Sequence, residues 1–590
     1  MCGIVGHLSK NRSIDKGTFQ KMIDSLTHRG PDGEGMFISS DEKRALGHRR
    51  LSFLDLSSLG KQPMANTDAT IWISFNGEIY NYLELKAELK GRYQFVTGTD
   101  TEVILAAYQV WGLPFVTRLK GMFAIALLDE KKGELHLIRD RFGIKPLYYG
   151  ITKEEVVFAS ELKAIIKSNV FEKKLNKSAV ADYFVYRYVP SPKTIWEGIH
   201  KLSPASYITV NLSDFSLETK TYWELSSGED KVDLGEFIEE TDSLLRESVK
   251  EHLRADVPIG SFLSGGYDSS ALAMWMSQQN KKPETFSIGF QKWEKSEHFY
   301  AKIVSDHLGL ENNAVVATDE SLELVELMAE VYDEPIADIS IVPTFMVSRL
   351  ARTKVKAVFS GEGADELFGG YTWQHEYFNQ TYNNGFIQKA KNLFRPSDPV
   401  SFYARAMAMG WFDEEELKKM LHADLHSSIP ENVHWFYQQN FRKDLSPVKA
   451  IQHMDIKCFM GELVLTKIDR ASMANSLEVR VPFLDHDLFE KFFKVDERQY
   501  LSNKQTKKVL YETIKKGLPN EILDRKKQGF VGPDNYYMNL DFYKRELQNS
   551  KLVEHKIINK NYIEELLKSN YDWKLWKILV FEKWFAHWLI

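Results

Sequence analysis

Two cysteines occur in 590 residues, and one of them, Cys2, stands directly behind the initiator methionine. Removal of Met1, which a small second residue permits, would leave the Cys2 thiol beside its own α-amino group. That amine titrates near neutrality and can act as the thiol's general base. Downstream residues supply what such a nucleophile needs. Arg50 in HRRLSFLDL (48–56) is a fork suited to a carboxylate. Asn76 and Gly77 in FNGEIYN (75–81) combine a side-chain amide with a backbone N–H, the donors of an oxyanion hole. Glu78, with Asp100 in TGTDTE (97–102), offers acids for an ammonium group. A small cysteine that only packs is the plain alternative.

A second set lies in SFLSGGYDSSALAMWM (261–276), which reads as strand, glycine turn and helix. Ser264, Gly265, Gly266, Asp268, Ser269 and Ser270 crowd the helix N-terminus, where free N–H groups and the helix dipole attract anions. An Asp beside phosphates makes sense as a magnesium ligand. An N-cap after a glycine turn would look the same locally. The pattern Ser-Gly-Gly-x-Asp-Ser resembles the pyrophosphate loop of N-type ATP pyrophosphatases, with Tyr267 at a position usually held by a modest aliphatic residue. KAVFSGEGADELFGGY (356–371) is again a strand and a glycine turn, now with Glu362, Asp365 and Glu366. Ligands of open α/β sheets gather at such strand ends. DRKKQGF (524–530) adds Lys526 and Lys527, either of which could neutralise a leaving pyrophosphate.

These groups need elements to hold them. Residues 1 to about 210 read as strand-rich, with apolar runs such as TIWISF (70–75), MFAIALLD (122–129), ELHLIRD (134–140) and PLYYGI (146–151). YLELKAELK (82–90) and TEVILAAYQVW (101–111) read as covering helices. From about 240, strands IGSFL, ETFSIGF and KAVFS alternate with helices, the pattern of a parallel sheet. Beyond about 370 the pattern is almost wholly helical. The polar run LSSGEDKVD (225–233) is the linker candidate, and the seam is set at 1–212 and 213–590.

Composition narrows the function class. Lys plus Arg number 76 against 82 Asp plus Glu, a formal charge of −6 with no global footprint for nucleic acid. No basic region followed by an apolar run opens the chain, and two cysteines make no disulfide framework, so a cytoplasmic setting is expected. WKLWKILVFEKWFAHWLI (573–590) carries four charged residues, which fits a docking helix and argues against a membrane span. His422 and His426 in HADLH are spaced for chelation but lack a third ligand; a solvated helix face is expected. Cys458 in DIKCFMGELVL reads as packing.

MCGIVG, HRGPDG (28–33), NGEIYN, RDRFGIKPLYY (139–149), FASELKAI (158–165), SGGYDSS, SGEGADELFGGY and SLEVRVPFLDH (476–486) together resemble glutamine-hydrolysing asparagine synthetase, in the family's order. The resemblance implies an α+β N-terminal-nucleophile glutaminase sandwich (αββα). It also implies a following α/β ATP-pyrophosphatase-like synthetase domain with a helical C-terminal part. In family terms Cys2 attacks the glutamine amide, and Asn76 with Gly77 stabilises the oxyanion. Arg50, Glu78 and Asp100 hold the glutamine, with the backbone of Leu51, Ser52, Phe53 and Leu54 nearby. Ammonia then passes through an internal tunnel. Leu263, Ile288, Ser360 and Gly361 match positions that hold adenosine, and Ser264, Gly265, Gly266, Asp268 and Ser269 match the pyrophosphate loop. Asp268 and Asp365 match magnesium partners, and Glu362 matches the acid tied to the β-aspartyl-AMP intermediate. Lys527 is the choice for the phosphate lysine, with Lys526 its competitor. ATP and Mg2+ are thus implied, glutamine and aspartate are the small-molecule substrates, and a homodimer is left open. A relative amidating a sugar or peptide carboxylate is the nearest alternative. The stretch from about 371 to 450 matches the family least and reads as an insertion shaping the acceptor pocket.

Overall fold

The computed structural model describes residues 2–279, 282–382, 398–502, 505–529, 532–569 and 571–590. Met1, and residues 383–397 of the stretch read as an insertion, lie outside the described residues.

Two antiparallel six-stranded sheets build the first half. Gly3–Ser9 lies inside the first, paired with Arg44–Arg50 on one side and Glu155–Ala159 on the other. Gly121–Asp129 lies inside the second, paired with Ile71–Ile79 and Glu134–Arg139. The period of two decides what each face meets. Ile4, Leu8, Ala124, Ala126 and Leu128 form the dry layer between the sheets. Phe123, Ile125 and Leu127 turn the other way, onto helix Asp100–Trp111. Val5 packs instead with Phe19, Met22 and Ile23 of helix Lys16–Asp24. The result is the expected αββα sandwich. The second sheet continues past residue 212, because Leu217–Thr221 pairs with Ser206–Asn211.

The second half carries a five-stranded parallel sheet in the order Asn312–Ala317, Thr285–Phe290, Ile259–Phe262, Ala357–Phe359, Glu478–Arg480. The chain lays down the central strand Ile259–Phe262, moves outward to one edge, then returns to the other side with Ala357–Phe359. The reversal puts a topological switch point between Ile259–Phe262 and Ala357–Phe359, where the C-terminal ends of open sheets take their ligands. Both glycine turns singled out above leave the sheet there. The last strand, Glu478–Arg480, is an exception to the helical pattern expected beyond residue 370; three residues are too short to show a period.

The linker is pinned: Gly228 N donates to Phe493 O at 3.0 Å and Asp230 N to Lys494 O at 2.8 Å. The C-terminal helix Lys574–Leu589 docks as expected, burying Leu575, Trp576, Ile578, Leu579, Phe581 and Trp584. It bridges the halves, with the Trp196 and Trp584 rings 5.3 Å apart and Tyr183 Oη donating to Lys577 O at 2.8 Å. Among the described residues no helix is long and apolar enough to cross a membrane.

Candidate functional site

Cys2 heads the strand Gly3–Ser9 and is buried, which pushes its thiol up from the ordinary range. Its N–H donates to Asn76 Oδ1 at 2.9 Å. The same contact orients the Asn76 amide, whose Nδ2 is buried without a hydrogen-bond partner. A buried donor left open beside a thiol is costly unless something uses it, and an oxyanion would. Gly77 is forced to be glycine, since a Cβ there would lie 2.0 Å from Met122 O in the neighbouring strand.

Arg50 ends the strand Arg44–Arg50, and the following loop curls around it. Its guanidinium donates to Leu54 O (3.1 Å), Asp55 O (2.6 Å) and Ser57 O (3.0 Å). Leu51 and Phe53 of this loop pack on Ala357 and Met473 of the second half. Ser52 N is held by Asp32, which Lys356 of the second half neutralises at 2.7 Å. Asp100 begins a helix and accepts from Ile79 N at 3.0 Å, while burial lifts its carboxyl to about 6. Glu78 is held well above the usual range by burial, against the pull of Arg480. Cys2, Asn76, Glu78 and Asp100 are therefore close neighbours, and the Arg50 charge reaches the Cys2 thiol although its guanidinium is held by its own loop.

The second cluster forms at the switch point. Gly265 adopts the left-handed φ of 72°, and a Cβ there would meet Tyr300. Helix Tyr267–Gln278 starts with no side-chain cap, so its first N–H groups stay available to an anion. Ser269 Oγ instead braces the loop by accepting from Ser264 N at 3.1 Å. Leu263, just past the strand Ile259–Phe262, and Ile288, within the neighbouring strand Thr285–Phe290, are buried, with Ser360 and Gly361 following the strand Ala357–Phe359. Gly361 lets the two turns touch, because its Cβ would sit 2.8 Å from Asp268 Cβ.

Asp268 and Asp365 converge on a lysine that the sequence reading overlooked. Lys507 Nζ lies 2.6 Å from Asp268 and 2.8 Å from Asp365. Burial alone would lower Lys507, but the two carboxylates hold it above its ordinary range. Lys527 Nζ also pairs with Asp365 and donates to Gly370 O at 2.6 Å. That contact brings Lys527 into the cluster. Burial works to raise Asp365, yet the two lysines outweigh it and hold the group low; Asp268 is pushed up, chiefly by burial. Two acids meeting at one ammonium form a donor set that fits a hard cation. Glu362 Oε2 is buried without a hydrogen-bond partner. Glu366 is bonded to Tyr371 Oη at 2.7 Å, and burial lifts it to about 8.

The halves meet through buried charges. Arg29 Nε donates to Cys2 O at 3.1 Å, and its terminal nitrogens reach Asp469 of the second half at 2.9 and 3.2 Å. Arg480 lies 3.4 Å from Glu78 and 2.6 Å from Glu478. Removing one member of such a pair strands a charge at a cost of roughly 3–5 kcal/mol. SLEVRVPFLDH was visible as a motif, but neither Glu478 nor Arg480 could be assigned a neighbour from it. Lys507, in SNKQTKKVL, had no signal beyond an ordinary lysine run.

The remaining expectations resolve simply. The His422 ring caps Asp424 N at 3.4 Å and His426 Nε2 bonds Leu421 O at 3.1 Å, so the pair is spent on its own turn. Cys458 is fully buried in packing.

Two family models cover the chain: the glutamine amidotransferase domain at residues 1–223 and asparagine synthase at 240–586. Asparagine synthetase (glutamine-hydrolysing) 1 of Bacillus subtilis is 33% identical over 99% of this chain and 96% of its own length. A Methanocaldococcus jannaschii protein also named for glutamine-hydrolysing asparagine synthetase is 40% identical over 67% of this chain and 79% of its own. Among solved structures, the Bacillus subtilis glutamine phosphoribosylpyrophosphate amidotransferase overlaps 53% of this chain and 65% of its own at 15% identity. Its TM-score of 0.29 is too low to add to the argument. With both halves matched in order and a relative aligned end to end, the chain belongs to the glutamine-hydrolysing asparagine synthetase family.

Proposed function

We propose that this enzyme makes asparagine from aspartate, taking nitrogen from glutamine and activating the carboxylate with ATP, with AMP and pyrophosphate released. The observation that carries the reading is the unpartnered Asn76 amide beside Cys2, in a chain that also holds the Asp268–Lys507–Asp365 cluster at a sheet switch point. We place the boundary between the two activities in the linker after Thr221, where the second sheet ends.

Cys2 Sγ attacks the glutamine amide carbon, its proton passing to the α-amine freed by loss of Met1. Asn76 Nδ2 and the Gly77 N–H receive the charge on the amide oxygen. Arg50 and the loop Leu51–Leu54 meet the glutamine carboxylate, and Glu78 and Asp100 its ammonium. Collapse releases ammonia and leaves a thioester that water hydrolyses to glutamate. At the second site the aspartate β-carboxylate displaces pyrophosphate from the ATP α-phosphate, giving β-aspartyl-AMP. Ser264, Gly265, Gly266 and Ser269 cradle the phosphates, and Lys507 and Lys527 neutralise the leaving group. Asp268 and Asp365 would hold magnesium, which when bound supplies further positive charge to the phosphates. Glu362 takes a proton as ammonia attacks the anhydride. Shielding that anhydride from water preserves it for ammonia. The reaction belongs in the cytoplasm, where free thiols stay reduced.

The test is direct. Glutamine, ATP and magnesium are supplied with and without aspartate, and pyrophosphate and asparagine are measured. Aspartate-stimulated pyrophosphate release with asparagine formation is the expected result; no stimulation and no asparagine would sink the reading. A second acceptor class is favoured by one feature. Tyr371 and Trp373 stack at 4.2 Å beside Lys527, with Phe459 edge-on to both. This half-buried aromatic wall offers more surface than an aspartate side chain covers, as a sugar- or peptide-borne carboxylate would require.

A further inference from the structure

Tyr267 occupies the variable position of the phosphate loop, and its phenol does something an aliphatic residue could not. Its Oη donates to Leu523 O, four residues before Lys527. It also accepts from Gln505 Nε2 at 3.4 Å, two residues before Lys507. The same junction is crossed in the other direction, where Arg525 Nη1 donates to Ser264 O at 3.0 Å and its guanidinium stacks 3.9 Å over the Tyr300 ring. Tyr511 packs near the Tyr267 ring at 6.0 Å. The two lysine-bearing segments are distant in sequence from the loop and from each other. The Tyr267 hydroxyl touches both.

We propose that Tyr267 is a positioning residue whose hydroxyl sets the register of the Lys507 and Lys527 segments against the phosphate loop. Its effect on ATP cleavage passes through those lysines. The physical reason is steepness: a cation shifted by an ångström from a developing anion loses much of its effect in a water-poor site. Burial holds the phenol above its ordinary range, so it remains a donor at any working pH. The inference rests on reading the second site as the place where ATP is split.

Magnesium pyrophosphate binding to the full chain, followed by calorimetry, tests it independently of the acceptor. Tyr267→Phe keeps the ring and removes the hydroxyl. Loss of about one net hydrogen bond predicts roughly five- to tenfold weaker pyrophosphate binding and a similar rise in KM for ATP. Glutamine hydrolysis and KM for the acceptor are expected to stay unchanged. Because the hydroxyl acts through the two lysines, Tyr267→Phe placed on a chain carrying both Lys507→Ala and Lys527→Ala should cost less than about twofold more. Wild-type binding by Tyr267→Phe, or full additivity with the double lysine variant, would overturn the inference while leaving the ATP site standing. A wild-type chain that binds neither ATP nor pyrophosphate would overturn both.

Discussion

Around Cys2, polar groups are sealed from water: Asn76 is 0% exposed, and Glu78 and Asp100 are 6% exposed each. Around Asp268 and Asp365, about a quarter of each side chain still meets solvent, and opposite charges already occupy the centre. The first site is carried on paired strands and a helix start within the first hundred residues. The second is assembled from turns and loops drawn from 264–269, 360–366, 507 and 527. The contrast fits the proposed chemistry. A thiol attack on a neutral amide develops one charge at one atom, so a fixed, dry donor such as the Asn76 amide is effective. Nucleotide cleavage must accept a highly charged ligand and then release it. Cations parked on carboxylates can be redirected to phosphate without ever being buried unpaired.

The largest way to test this division is at the nucleophile. Cys2→Ala is expected to lower glutamine-dependent product formation by roughly 10³-fold or more. Product made from ammonium salts should persist, because the second site is untouched. Equal loss with both nitrogen sources would mean that the sites are not separable. Next comes Asn76→Ala, for which loss of one oxyanion donor predicts about a 10²–10³-fold fall in glutaminase kcat with a smaller change in KM. A change confined to KM would place the amide in ground-state binding instead.

Lys507→Met probes the second region. It leaves Asp268 and Asp365 facing one another without their shared cation, and about a 10²-fold loss of pyrophosphate release is expected. Glutamine hydrolysis should survive, and its loss would show that the two sites depend on each other through the buried pairs. The smallest effect is a pH profile. Asp100, lifted by burial to about 6, must be ionised to pair with the glutamine ammonium. kcat/KM for glutamine should therefore halve near that pH and fall roughly tenfold per unit below it. Asp100→Asn should lower the plateau and move the inflection to that of Glu78, which burial also holds above the usual range, whereas an unchanged profile would assign the titration to Glu78 alone.

Short-range patterns were legible and long-range neighbours were not. The turns 264–269 and 360–366 could be read because strand, glycine turn and helix follow one another within a dozen residues. Cys2, Asn76 and Asp100 could be grouped because each has a chemical role that demands the others. Lys507 escaped because an isolated lysine near other lysines looks like solvated surface until the fold brings two acids to it. Glu478 and Arg480 escaped because a three-residue strand has no period, and their partners belong to the other half. That Lys527 pairs with Asp365 is a matter of side-chain direction, which adjacency to Lys526 cannot reveal.

The residue order by itself marked a strand-rich first half, a parallel strand-and-helix alternation in the second and the two glycine turns, because hydrophobic period and turn chemistry act over a few neighbouring residues. The αββα sandwich was implied by the family resemblance. Only the tertiary structure decided which charges share a site. It joined Arg29 to Asp469 and Arg480 to Glu78 across the halves, and the Tyr267 hydroxyl to the lysine segments. Those pairings depend on how sheets and loops stack in space, which brings residues as far apart in sequence as Arg29 and Asp469 within bonding distance.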